Sequence, residues 1–219
     1  MRSFIGAAVT AVLTMCLVPQ AAFGIAKPLA TKHPDIAPVD VIVASHTAAH
    51  GPSFSIQGAL SGGGVSSGTN LISFASLSTG DMVVVLDPTS LTGHAGLFDR
   101  NRYYSITSYA VVSANVAPVS GVQIEKCAKY RLYDRAYALR VPQEYAHRNA
   151  VRDYALRQLG KPYSLVATKT DIRSFYCSKL PWAAYRFVTG VDLDADGGIW
   201  VWPVDLLNSR YTSIVGYWS

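Results

Sequence analysis

Apolar and polar positions divide the chain into a patternless front and a patterned remainder. Residues 25–78 are rich in Gly, Ser, Thr, Ala and Pro and include Leu60 followed by the glycine-rich run to Gly68, with no stable period. This predicts an extended lead-in, with short apolar pieces at 39–43 and 71–74 that can pack on the folded domain. Order begins at the Gly80-Asp81 turn signal. The continuous apolar run 82–86 is short enough for a buried strand and is closed by Asp87-Pro88. A second strand is expected over 94–98, a polar turn over 99–102, a third strand over 103–112, rich in aromatic and β-branched residues, and a fourth over 136–141. Short runs joined by brief turns predict an antiparallel meander.

Helices come next. Pro142 suits a first helical position, Ala150, Val151, Tyr154, Ala155, Gln158 and Leu159 fall mostly on one stripe, and Gly160 suits a left-handed stop. After a loop over 161–174, a second helix carries Leu180, Ala183, Ala184, Phe187 and Val188 and stops at Gly190. Pro181 lacks an amide hydrogen and is tolerated only in the first turn, so this helix must start close to Cys177. Its unpaired amides then surround that sulfur.

The N-terminus changes the expected compartment. Arg2, an uncharged apolar stretch over about 4–18, and small residues before Gly24 match a secretory signal over 1–24, too short for a membrane span. Met15 before Cys16 is too bulky for a lipoprotein signal. The expectation is a secreted or cell-envelope protein with no transmembrane span in the mature chain. Loss of Arg2 lowers the formal charge from +5 to +4. The excess is mild and spread along the chain, and no nucleic-acid-binding module is present, so nucleic acid is not an expected partner. With 15% charged residues, the remainder suits one domain over 79–219.

Candidate chemistry centres on His94 and Cys177. His94 lies between a glycine turn and a strand, and Cys177 lies at a helix N-terminus, where a thiol gains thiolate character. An imidazole in reach of that thiol can take its proton and return it to a leaving group. The competing expectation for an exported chain is a Cys127–Cys177 disulfide. His46 and His50 have no third ligand and read as loop, and His147 reads as solvated. The stretch Asp192-Leu193-Asp194-Ala195-Asp196-Gly197 imitates the start of a calcium loop, but Pro203 stands where the bidentate Glu belongs. It is read as a turn. No metal and no cofactor are expected.

Four motifs, Gly80-Asp81, Gly93-His94-Ala95-Gly96, Leu159-Gly160-Lys161-Pro162-Tyr163 and Phe175-Tyr176-Cys177-Ser178, together resemble the NlpC-type cysteine peptidase superfamily of papain-like fold. Because His94 precedes Cys177, the order is similar to the circularly permuted branch typified by YiiX and YebB, related in arrangement to lecithin:retinol acyltransferase. The resemblance covers roughly residues 77–219 and implies an α+β fold, an antiparallel sheet with helices packed on it. It implies a thiol hydrolase of amide bonds, with Cys177 as nucleophile, His94 as base and then acid, and backbone amides near Cys177 as oxyanion donors. Tyr163 aligns with the family's Pro-Tyr tyrosine near the nucleophile, and Ser178 offers an amide donor or a helix cap. The family's third polar residue lies on the strand after the histidine, where 103–110 offers Ser105, Thr107 and Ser108; Thr107 or Ser108 is the expected partner of His94. Lys179 stands where the branch often has Glu, and is expected to be solvated. Cell-wall (peptidoglycan) peptides are the first expected substrate. The alternatives are acyl-amide or ester lipids, or a silent envelope-binding module locked by the disulfide.

Overall fold

The structure, a computed structural model, describes residues 70–87, 90–105, 108–142 and 147–219. The expected signal, His46, His50, Thr107 and most of the lead-in lie outside the described residues. Six strands form one sheet in the order β4-β3-β2-β1-β5-β6, every neighbouring pair antiparallel. They are β1 (Met82–Asp87), β2 (Ser90–Ser105), β3 (Ser108–Asn115), β4 (Gly121–Lys126), β5 (Arg135–Arg140) and β6 (Ser213–Trp218). A 3-10 turn, Cys127–Leu132, and three helices complete the described fold: α1 (Arg148–Leu156), α2 (Lys179–Thr189) and α3 (Pro203–Asn208). The fold class is α+β.

Alternation along the strands builds two cores. Met82, Val84, Ala95, Leu97, Val112 and Leu139 face the helices, packing on Val151, Leu180, Ala184 and Leu206. Their neighbours Val83, Val85, Phe98, Val111, Ala136 and Ala138 face the opposite way, onto Tyr130, Tyr133, Ile72, Phe74 and Leu77. A sheet covered on both faces explains why β1 reads as a continuous apolar run. Residues 70–77 therefore close the second core, although Leu71 itself is 81% exposed. The side-chain amide of Asn70 fixes this segment by donating to the Tyr130 and Tyr133 carbonyls, both at 2.8 Å.

The Gly80-Asp81 motif is a brace between layers. Asp81 is buried and paired with Arg140 at 2.5 Å and Arg148 at 2.8 Å, while the Gly80 carbonyl accepts from Tyr185 Oη at 2.8 Å. A buried carboxylate requires such partners. Together they tie β5, α1 and α2 to the start of β1, which fixes where the N-terminus of α2 falls.

Several boundaries differ from the expectation. The polar stretch 99–102 continues β2 with a register irregularity instead of turning, and the hairpin closes where Ser105 pairs with Ser108. β5 adds beside β1, so the chain is not a simple meander. β4 and β6 had no counterpart in the sequence expectation. α1 begins at Arg148 and ends at Leu156, short of Gly160, and exposed His147 precedes it. α2 runs into Gly190, whose φ of 78° is the left-handed stop expected there.

Candidate active site

His94 enters the site on β2 just after Gly93, whose φ of 54° places a side-chain-free position against the Val85 carbonyl. The β2–β3 ladder runs from Leu97↔Val112 outward to Ser105↔Ser108 and does not extend back to Ala95. At Ala95 side-chain groups take the place of a β3 backbone partner. Its carbonyl accepts from Ser113 Oγ at 2.8 Å, and its N–H donates to the Cys177 sulfur. The cysteine, in the turn just ahead of α2, therefore meets the strand backbone beside His94.

His94 and Cys177 are hydrogen-bonded to each other. They are 1% and 8% exposed, so the pair sits in a nearly dry environment. His94 Nε2 lies 2.8 Å from Glu125 Oε2 and 3.2 Å from Ser113 Oγ, leaving Nδ1 as the nitrogen for the sulfur. Glu125 is 4% exposed and fully occupied: Tyr130 Oη donates to Oε2 at 3.1 Å, while Asn115 Nδ2 at 2.8 Å and Lys129 Nζ at 2.6 Å donate to Oε1. The imidazole also stacks on the rings of Tyr130 and Tyr133, with centroids 5.4 and 6.4 Å away. Gly96 makes room for this packing, since a Cβ there would come 2.5 Å from Tyr130 Oη.

The electrostatics follow from these contacts. Burial pulls the His94 pKa down, but the Glu125 charge and the hydrogen bonds of the ring to Cys177 and Glu125 outweigh it and raise the value to about 9. Burial would raise Glu125, yet the charges and hydrogen bonds of His94 and Lys129 drive its carboxyl far below the usual carboxylate range. Burial also opposes ionisation of Cys177, but the His94 hydrogen bond and charge, with the Ser178 contact and the Ala95 N–H, bring the thiol below its ordinary value. These contacts favour the charged forms of the pair, thiolate and imidazolium, beside a buried carboxylate.

Tyr163 lies beside the pair, forming an isolated bridge with Phe175; burial and then the Cys177 charge push its phenol well above the usual range. The Ser178 hydroxyl does not cap α2; it donates to the Val201 carbonyl at 2.7 Å. Lys179 is only 1% exposed, not solvated, and its ammonium is held by the Asp171 and Ser174 carbonyls. Burial brings it down to about 8, the Asp171 charge opposing this and the Lys161 charge adding to it.

Of the two expected partners of His94, Thr107 lies outside the described residues and Ser108 is corrected. Ser108 Oγ contacts Cys127 Sγ at 3.5 Å, not the imidazole, because the hairpin pairs Ser108 with Ser105 at the far end of β2 from residue 94. The residues of β3 near His94 are Ser113 and Asn115, and the carboxylate against its ring comes from the next strand, β4. The disulfide expectation also fails: Cys127 and Cys177 are both free and buried. Glu125 escapes the sequence expectation because no strand is expected over 121–126. The alternation of Val122 and Ile124 with Gln123 and Glu125 is the signal that finds it.

Residues 74–196 match the model of a family described as the permuted papain-like amidase enzyme, YaeF/YiiX, C92 family. The chain belongs to this family. The stretch from β1 to the loop after α2, including His94, Glu125 and Cys177, falls inside the match. The chain is also 28% identical over 127 residues to the uncharacterized protein YycO of Bacillus subtilis (strain 168), covering 56% of this chain and 48% of that protein. It thus spans about half the length of that relative. No solved structure matches.

Proposed function

We propose that this family member is a secreted cysteine hydrolase of amide bonds, with cell-wall peptides as substrate. The observation that carries the reading is the hydrogen-bonded Cys177–His94 pair backed by Glu125, within a fold whose family is described as amidase. In the first half-reaction the Cys177 thiolate attacks the carbonyl carbon, forming a C–S bond and moving the carbonyl electron pair to oxygen. Amides at 177 and 178 lie at the start of α2, where the first helical N–H groups have no intrahelical acceptor, and they are the proposed donors to that oxyanion. Collapse breaks the C–N bond as the His94 imidazolium gives its proton to the departing amine, leaving a thioester. His94 then takes a proton from water, the hydroxide adds to the thioester, and the thiolate leaves, releasing a carboxylic acid.

Glu125 is the positioning residue of this scheme. Its carboxylate fixes the tautomer with Nδ1 toward sulfur and stabilises imidazolium, which a hydroxyl at 107 or 108 would not do as well. Tyr163 is assigned to the pocket wall next to the sulfur. Export rests on the sequence of residues 1–24, and the wall substrate on the polymer that export would place beside the enzyme.

The test is incubation of the protein and its Cys177→Ala variant with peptidoglycan fragments and, separately, with acyl lipids. Release of amine from the fragments by the native protein but not by the variant supports the proposal. Release only from lipids replaces the substrate class, and equal product from both proteins contradicts thiol catalysis.

A further inference from the structure

The loop after α2 gathers three carboxylates that sequence spacing alone does not bring together. Asp194 and Asp196 belong to the Asp-x-Asp-x-Asp-Gly stretch, in which Gly197 takes a φ of 72°. Asp192 is turned aside, its Oδ1 accepting from Trp182 Nε1 at 2.8 Å. Asp205 of α3 joins instead, and one oxygen from each of Asp194, Asp196 and Asp205 lies within 4.8 Å of the others. That span fits a calcium shell, whose oxygens sit about 2.3–2.6 Å from the ion and hence about 5 Å apart at most. The missing twelfth-position Glu is thus replaced by an acid two residues past Pro203.

A second observation points to a ligand. The Asp194 side chain is only 3% exposed; its Oδ2 pairs with Lys169, but its Oδ1 is, among the described residues, the buried side-chain oxygen left without a hydrogen-bond partner. An unpaired buried carboxylate oxygen beside two further acids is a strong electrostatic demand for a cation. Lys169 meets part of it, since its ammonium contacts Asp194 Oδ2 and the Gly198 carbonyl. Three acids against one ammonium still leave net negative charge.

We infer that Asp194, Asp196 and Asp205 bind a divalent cation, calcium in preference to magnesium, with water completing the shell at exposed Asp196. The site would brace the segment ahead of α3. That segment carries Val201, whose N–H donates to Tyr176 Oη at 2.9 Å and whose carbonyl accepts from Ser178 Oγ, the two residues flanking Cys177. On the catalytic reading, a bound ion therefore steadies the nucleophile's neighbours. The cation site itself stands apart from that reading.

The test is thermal unfolding of the chelator-treated protein with CaCl2 or MgCl2 added up to about 10 mM, well above the range of weak extracellular calcium sites. The expected result is a saturable rise in Tm with calcium, about 5–10 °C at a hundredfold excess over Kd. Asp194→Asn and Asp196→Asn should abolish the rise while keeping the native circular dichroism; position 196 is exposed, so that variant isolates the ligand role from folding. No saturable rise in the native protein, an equal rise in the Asp196→Asn variant, or a rise with magnesium alone would overturn the assignment.

Discussion

Glu125 and Asp194 are both buried acidic side chains, and their surroundings push them in opposite directions. Glu125 receives four donors, from His94, Tyr130, Asn115 and Lys129, and its carboxyl is held far below the ordinary range. Asp194 has one cationic partner, keeps an unpaired oxygen and faces Asp196; burial first, and then that acid, raise its pKa despite Lys169. Burial alone therefore says nothing about whether a carboxylate stays charged. The donors decide, and here they separate a completed ion network from one with room for an ion.

Exchanging the charge at each position should break this comparison most clearly. Glu125→Gln keeps the shape but removes the counter-charge of His94, and hydrolysis should fall roughly 10–100-fold, part of the contribution general acid–base groups make. In the native protein, activity should decline as the pH rises through about 9, where His94 loses its proton. In the variant that decline should move to lower pH, because the carboxylate that raises His94 is gone. A pH–rate profile of both proteins reads this directly.

Asp194→Asn should act with the opposite sign. A carboxyl whose pKa is raised by folding is charged at a cost above its ordinary range, so in chelator this variant should melt at the same temperature as the native protein or higher. A clear loss of Tm in chelator would mean that the Lys169 pair already satisfies the cluster. The smallest effect belongs to Ser108→Ala. Its hydroxyl touches Cys127 and not His94, so the hydrolysis rate should not change, and a large loss would return the positioning role to the hairpin end of β2.

The sequence is informative where one residue type has one physical use. Pro181 can stand only in a first helical turn, which places Cys177 at the start of α2; Gly190 stops the same helix; the apolar run after Asp81 forms β1 as a buried strand. Fold class and the two central residues are legible for that reason, with the four-motif resemblance agreeing. Register is what the pattern does not carry. Taking 99–102 as a turn shortens β2 by several residues and directs the search for a His94 partner to the wrong end of the hairpin, away from Ser113 and Asn115. The alternation of β4 is brief and ends in charge, which hides the strand and Glu125 with it. Asp205 is invisible to spacing rules because it reaches the acidic loop through tertiary packing of α3.

On the proposed mechanism Cys177 ionises below its ordinary range because His94, held by Glu125, pairs with it. The direct measurement is the pH dependence of Cys177 alkylation by iodoacetamide, made in a Cys127→Ser background so that one thiol is read, with and without His94→Ala. The account predicts a titration midpoint well below the ordinary thiol value of about 8.5 that moves back up when His94 is removed. A midpoint at the ordinary value, unmoved by the loss of His94, would contradict it.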